Sequence, residues 1–379
     1  MEHQERTYQL ALSLIKGVGF TVWKKLIDRF GSARALYEDS AGTLKNIFNK
    51  GYQPIIQSIL NKETLPRAEE IIHVHQQMGM QVLSFFDETY PTRLRHIMNP
   101  PCFLYYQGNA DLSPSKVISI VGTRKATSYG RSAVAKLIEG FADYGVLVVS
   151  GLAFGIDIHA HQLALQHGLP TLGVLASGLD HIYPAAHKSI AEHMLNNGGL
   201  VSETPVGSLL ENFQFPTRNR LIAGLADATI VVEAGHKSGA IITANFANDY
   251  DREVFAIPGN IHEPFSIGCN QLIRTQQAHL VTSVDDIAYM MDWQKTNTDG
   301  ERLTHLDESQ LAGLSSVAKD IIHTLQLVAP KDIHIDDLGQ QTKLAPAQLS
   351  PVLLQLELKN MVQGLPGSKY KLGSGKLAW

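Results

Sequence analysis

The stretch Ser150-Gly151-Leu152-Ala153-Phe154-Gly155-Ile156-Asp157, closed by Ala160-His161, constrains this chain more than any other. An apolar run, Val146–Val149, leads into it, and a segment of helical pattern, Ile158–His167, leads away. Two glycines between a buried strand and a helix let the backbone turn tightly and leave free N–H groups at the positive end of the helix dipole. Such a turn can seat a phosphate or another anion. It can equally be a plain strand-to-helix connection, and the stretch alone does not separate the two.

The neighbouring runs supply the context. Gln81–Phe86, Phe103–Tyr106, Val117–Val121, Thr171–Leu175, Gly199–Ser202, Thr229–Val232, Val254–Ile257 and His279–Val281 read as buried strands, most of them separated by helical stretches. That alternation predicts an α/β fold with a doubly wound, mainly parallel sheet over residues 79–291. Residues 1–78 have helical periodicity. Lys16-Gly17-Val18-Gly19 between two helices fits either a helix-hairpin-helix unit or a hairpin used only for packing. Residues 292–313 are polar and read as a linker. Residues 314–379 show three helices and two short strands, a winged-helix pattern with 9 Lys/Arg against 10 Asp/Glu from Asp292 onward.

In an open parallel sheet, ligands collect beyond the carboxyl ends of the strands. Those ends carry Gly122, Arg124 and Lys125; Ser150 and Gly151; Ser177, Gly178 and Asp180; Ser202 and Glu203; Glu233, Lys237, Ser238 and Gly239; and Pro258, Gly259 and Asn260, with Arg218, Asn219 and Arg220 on the segment just ahead of the fifth. Glycine, hydroxyl, amide and guanidinium groups together suit phosphate oxygens. Each also has a structural reading: Arg124 paired with Asp157 or Glu203, Arg218-Asn219-Arg220 capping a helix, Ser238-Gly239 a turn. Six such ends on one rim favour a site. Gly155, Asp157, His161, Glu203, Glu233 and Thr243 are expected to support it rather than to contact ligand.

Several chemistries are disfavoured. There is no Gly-x-x-x-x-Gly-Lys-Ser/Thr loop, and Gly122 has no further glycine before Gly130, so the nucleotide fingerprints fail. His159, His161 and His167 do not share one helical face, and the 2 cysteines lie far apart, so no metal and no cofactor is expected. No apolar run is long enough to span a bilayer. The net charge of −4 requires any polyanion binding to come from a local patch.

Val121-Gly-Thr-Arg124, Ser150-Gly-Leu-Ala153 with Gly155-Ile-Asp157, Gly178-Leu-Asp180 with Tyr183-Pro184, Ser202-Glu203, Phe215-Pro216 with Arg218-Asn-Arg220, Val232-Glu-Ala234 with Ser238-Gly239, and Pro258-Gly259 resemble the DNA processing protein A (DprA/Smf) family. The resemblance implies an extended Rossmann-like core with optional helical (SAM-like) and winged-helix flanks. It implies a non-enzymatic, cytoplasmic, homodimeric protein that binds single-stranded DNA, protects it, and loads the recombinase RecA during natural transformation. On that basis Arg124 would sit on a phosphate, the Ser150-Gly151 and Ser238-Gly239 turns would offer amides, and Arg218 and Arg220 would line the pocket. Phe154 and Phe215 are placed either to stack on bases or to pack in the core. Ala185 stands where the family often has a basic residue, with Lys188 nearby. His187 stands where asparagine is usual, and Gln277 where glycine is frequent. A nucleotide hydrolase of the phosphoribohydrolase type is the alternative, but Pro258-Gly259-Asn260-Ile261-His262-Glu263 does not fit the loop such enzymes use. A pure interaction module, its core only a dimerisation scaffold, is a second.

Overall fold

Runs of Val, Ile and Leu with both faces covered form the centre of the chain. The computed structural model describes residues 2–39, 53–296, 314–328 and 332–373. The strands are β1 Gln81–Ser84, β2 Phe103–Gly108, β3 Val117–Val121, β4 Leu147–Ser150, β5 Thr171–Leu175, β6 Gly198–Ser202, β7 Ala228–Val231, β8 Glu253–Ala256 and β9 His279–Leu280. They make one nine-stranded sheet in the order β1-β2-β6-β5-β4-β3-β7-β8-β9. Pairing from β6 through β9 is parallel, and β1 and β2 add an antiparallel edge. Every residue of β3, β4, β5, β6 and β7 is buried, as strands covered by helices on both faces require. The α/β, doubly wound, mainly parallel architecture expected from the sequence is therefore present.

The helices are placed by their ends. Thr127 caps Ser128–Ala142 by accepting the Gly130 amide at 3.2 Å, and Ser283 with Asp286 forms a capping box on Val284–Met291. One face of the sheet packs Leu137, Ile138, Phe141 and Ile287 against Ile118, Ile120 and Ile230. The other packs Leu221, Leu225 and Ala244 against Val121, Val149 and Val231.

The N-terminal region consists of helices Glu2–Ser13, Phe20–Phe30, Ala33–Glu38, Gln53–Leu60 and Leu65–Gln77. Its Trp23 is fully buried and donates its indole N–H to the Gln9 carbonyl at 2.8 Å. Burying about 200 Å² of indole contributes roughly 5 kcal/mol before entropy is counted. The apolar cluster around Trp23 runs on without a break into Phe103, Tyr105, Leu175 and Leu200 of the sheet. The change near residue 78 is thus a change of secondary structure within one continuous core. In the glycine hairpin Val18 is buried, and Lys24 on the following helix is paired with Asp28 at 2.6 Å.

Residues 292–296 correct the linker expectation. Trp293 packs edge-on against Phe141, Thr296 donates to the Asp143 carbonyl, and Lys295 pairs with the Asp143 carboxylate at 2.7 Å. The chain therefore stays on the core to Thr296, and the remainder of the expected linker lies outside the described residues. The C-terminal unit has helices Ser316–Val328, Ile335–Thr342 and Pro346–Leu358, with β10 Ile333–His334, β11 Val362–Leu365 and β12 Lys369–Leu372 in the order β10-β12-β11. This is a winged helix with its own apolar centre at Ile321, Leu325, Leu349 and Leu353.

Candidate functional site

From β3 the chain winds outward through β4, β5 and β6 on one side, then through β7, β8 and β9 on the other. The gap between β3 and β7 is the topological switch point, where the loops leaving the two strand ends diverge and open a crevice. A cleft of about 390 Å³ lies there, lined among others by Gly122, Arg124, Asp157, Arg218, Ser238 and Thr243. A narrow slot of about 30 Å³ adjoins it between Arg124, Gly151, Phe154, Tyr183 and Phe215.

Arg124 is exposed and stands 5.8 Å over the Phe215 ring. Among the described residues its guanidinium makes no ion pair and no hydrogen bond, so neither Asp157 nor Glu203 neutralises it. Two glycines place it. A Cβ on Gly155, whose φ is +82°, would lie 2.2 Å from the Thr123 carbonyl oxygen, and a Cβ on Gly122 would lie 2.5 Å from Ile156. The loop after β4 thus closes onto the loop after β3 only because both positions lack a side chain.

The second arm is the helix Gly239–Asp249. The amides of Gly239 and Ala240 make no hydrogen bond within the described residues, as expected for the first turn of a helix. Beside them the Ser238 hydroxyl is shielded from solvent and has no partner. Thr243 and Asn219 both donate to the Gly239 carbonyl, at 3.1 and 3.2 Å, which fixes the direction of that turn.

Arg218 lines both the cleft and the slot, as expected, but its guanidinium is already committed there. It is buried and donates to the carbonyls of Gly151 and Val174, with the Asp157 carboxylate close by. Burial lowers it to about 10, the nearby Asp157 opposing. Burial also pushes the Asp157 carboxyl up, against the pull of Arg218 and of the Ala153 and Gly151 amides. The Gly151 amide is occupied by Asp157 at 3.1 Å, so this turn does not present that N–H to the cleft. Ser150 is likewise committed, its hydroxyl donating to the Ile120 carbonyl at 2.6 Å. A Cβ on Gly151 would sit 2.8 Å from both Arg218 and Asp157, so glycine is needed here for close approach.

Arg220 is a second correction. Two residues on along the same helix, it points away from Arg218, is held by Glu203 at 2.5 and 2.6 Å, and lines neither the cleft nor the slot. Glu233 is buried and accepts from the Thr127 amide and hydroxyl, which ties it to the start of the helix behind Arg124. His161 is fully buried. Thr171 donates to the Val148 carbonyl, so it accepts from His161 Nδ1–H, which leaves Nε2 as a bare acceptor without a partner. Burial, with His187 and Arg218 nearby, lowers His161 to about 3. Lys125 and Lys237 are exposed on the flanking loops, outside both cavities.

Beyond Phe154 and Phe215, which the sequence reading named, the rim includes His187 and Tyr183, which it did not assign to the site. His187 donates Nδ1–H to the carbonyl of Leu152, a buried residue held at φ +56°, and Phe154 stands edge-on to the same imidazole at 4.7 Å. Tyr183 and Phe154 are both 48 % exposed, and Tyr183 lies 5.5 Å from Phe215. Half-open aromatic rings beside an unpaired guanidinium are surfaces on which flat groups stack.

A sequence profile of the DNA recombination-mediator protein A family matches residues 81–292, and one of the DprA winged helix domain matches residues 308–368. The chain is 33% identical to protein Smf of Synechocystis over 98% of its own length and all of that protein. It is 42% identical to DNA processing protein DprA of Streptococcus pneumoniae over 54% of this chain and 72% of the relative. The X-ray structure of the pneumococcal protein superposes with a TM-score of 0.63 at 33% identity, covering 76% of this chain and 98% of that one. A structure of DNA processing protein A from Helicobacter pylori, concerned with its single-stranded DNA binding mode, superposes with a TM-score of 0.52 at 28% identity, covering 57% of this chain and 97% of that one.

Proposed function

This chain belongs to the DNA recombination-mediator protein A (DprA/Smf) family, and from that premise we propose that it binds single-stranded DNA, without regard to sequence, in the crevice between β3 and β7. The observation that carries the reading is Arg124, an arginine without a countercharge among the described residues, 5.8 Å over the Phe215 ring and facing a helix N-terminus with an unpartnered serine hydroxyl. A phosphate there meets one positive charge and several neutral N–H and O–H donors. Phe154, Tyr183 and Phe215 offer aromatic faces to unstacked bases, which a duplex does not present. Lys125 and Lys237 extend the track on either side.

The finer reading rests on the family resemblance. In it the protein is a cytoplasmic homodimer that protects incoming strands and hands them to RecA during natural transformation, with no catalytic step of its own. The engagement of the three carboxylates that the sequence places at the rim supports the last point. Asp157 is bound to Gly151, Glu203 to Arg220, and Glu233 to Thr127. The expected division at residues 78, 291 and 313 is kept as a proposal about organisation, with the first boundary crossing a shared core.

Titration of a fluorescent oligothymidylate against the same length of duplex tests the reading. Preference for the single strand, falling with salt, is expected. Equal binding of both forms would sink it, and release of free base from nucleoside monophosphates would establish the hydrolase alternative instead.

A further inference from the structure

The winged-helix unit meets the core around a buried carboxylate. Asp227 accepts from Arg93 at 2.7 and 2.8 Å and from the Val117 amide at 2.9 Å. From the other side Lys369, on β12, reaches it at 2.7 Å, with Asp332 3.5 Å away. The next basic residue of the wing, Lys371, pairs with Asp292 at 2.8 Å, and Gln363 donates to the same carboxylate. The wing turn lies so close to the core that a Cβ on Gly367 would be 2.7 Å from the Arg252 guanidinium. Both lysines of the wing are therefore engaged by the core. The helix that would face a groove in a winged-helix reader, Pro346–Leu358, contains no lysine or arginine.

Beside this ion-pair plug, His96 of the core and His334 of β10 stack face to face, 3.7 Å between centroids and 18° from parallel. His96 contacts Asp337 at 3.2 Å and Asp336 at 3.6 Å, and His334 lies 3.6 Å from Asp336. The group is not arranged as a metal centre. The lone pairs of near-parallel rings run side by side instead of converging, and His334 Nδ1 already accepts the Asp336 amide at 3.2 Å. The charged groups around the pair are Asp336 and Asp337 on the helix after it and Arg95 on the helix before His96. Arg252 lies ahead of β8, and the Arg93–Asp227–Lys369–Asp332 cluster lies beyond it. Glu88 and Asp111 line the remaining space.

We propose that this interface is a proton-operated latch: with the His334 imidazole neutral it docks the winged helix and masks the lysines of the wing, and charging of His334 releases them. Two stacked rings 3.7 Å apart do not hold two charges, and Arg252 adds a third positive group. Burial in the interface, then His96 and Arg252, lower His334 to about 4 from an ordinary 6.5, despite Asp336 and Asp337. A lowered histidine favours the docked state fully above pH 6.5 and progressively less as pH falls from there toward 4. The docking constant should drop about tenfold between pH 7.5 and 5.5.

Hydrogen exchange of the full chain, corrected for intrinsic rates, reads the latch at residues 362–372, with β3 as the folding control. Wing protection should fall about tenfold from pH 7.5 to 5.5. In H334N, which keeps a capping side chain, that fall should vanish. In K369M, which leaves Arg93 on Asp227, protection should be lost at both pH values while β3 stays protected. Binding of a duplex oligonucleotide reads the masking: its gain on acidification should be several-fold larger in wild type than in H334N. Wing protection that is independent of pH in wild type overturns the latch. Equal duplex gains in the two proteins overturn the masking.

Discussion

Arg124→Ala removes an exposed guanidinium whose one recorded side-chain contact among the described residues is the Phe215 ring, so its effect on folding should be small. Its effect on binding follows from two quantities. A hydrogen bond to a charged group is worth about 1.5–3 kcal/mol, and solvent around an exposed arginine holds it to the lower end, roughly a tenfold rise in Kd. Loss of one neutralised phosphate also lowers the slope of log K against log salt by about 0.7 for single strands. Wild type should therefore lose about twofold more affinity than the variant between roughly 0.1 and 0.3 M salt. Fluorescence anisotropy of a labelled oligothymidylate at four salt concentrations measures both, with a thermal melt confirming an unchanged Tm. Arg124→Lys keeps the charge but not the planar contact with Phe215, so its slope should match wild type while its affinity lies between the two. An unchanged Kd in the alanine variant would refute the site. A lost affinity with an intact salt slope would refute the assignment of a phosphate to Arg124.

Arg218→Ala should behave oppositely. It removes donors to two buried carbonyls and leaves Asp157 as an unpaired buried acid, so about 3–5 kcal/mol of stability is expected to go, read by urea unfolding; Asp157→Asn in the same chain should recover part of it. Gly155→Ala places a Cβ 2.2 Å from the Thr123 carbonyl oxygen at φ +82°, so it should displace the Arg124 loop and weaken strand binding while the sheet stays folded, seen as lost affinity with unchanged far-ultraviolet dichroism. Asp227 is held well below the usual carboxylate range by Arg93 and Lys369 in spite of burial. Its folded pKa lies below its unfolded one, so its contribution is complete above about pH 5 and is lost as pH falls through the acid range. Urea midpoints from pH 7 to 3 should fall in wild type, and Asp227→Asn, less stable at pH 7, should flatten that fall.

The sheet was legible because each strand is a short apolar run ending in glycine, serine or another small residue, and covered strands need no alternation to be recognised. That the loops at the carboxyl ends of the strands would line the cleft follows from a parallel arrangement alone. What could not be read was the direction of side chains along one helix. Arg218 and Arg220 look alike in sequence, yet two residues on a helix are about 200° apart, so only one can face the cleft. The one that does is taken up by carbonyls at its floor, and the other is taken up by Glu203. Nor does sequence show that Asp157 claims the Gly151 amide, since that depends on a backbone turn through Leu152 at positive φ.

These commitments bear on how an acidic protein can hold a polyanion. Residues 111–290 carry 11 Lys/Arg against 16 Asp/Glu, so long-range attraction does not favour the strand. At the cleft Asp157 lies against Arg218, whose donors go to carbonyls, and Glu203 and Glu233 are bound to Arg220 and Thr127, which leaves the local field to Arg124 with Lys125 and Lys237 on its flanks. The other contacts, at Ser238 and at the first turn of the helix Gly239–Asp249, are neutral donors. Neutral donors supply hydrogen bonds without counterion release, so the salt slope should be shallow for the affinity reached. A slope of no more than about three phosphates, one each for Arg124, Lys125 and Lys237, together with strong discrimination against duplex, is the combination this geometry requires. A slope of many phosphates would mean that binding is dominated by a surface other than the crevice.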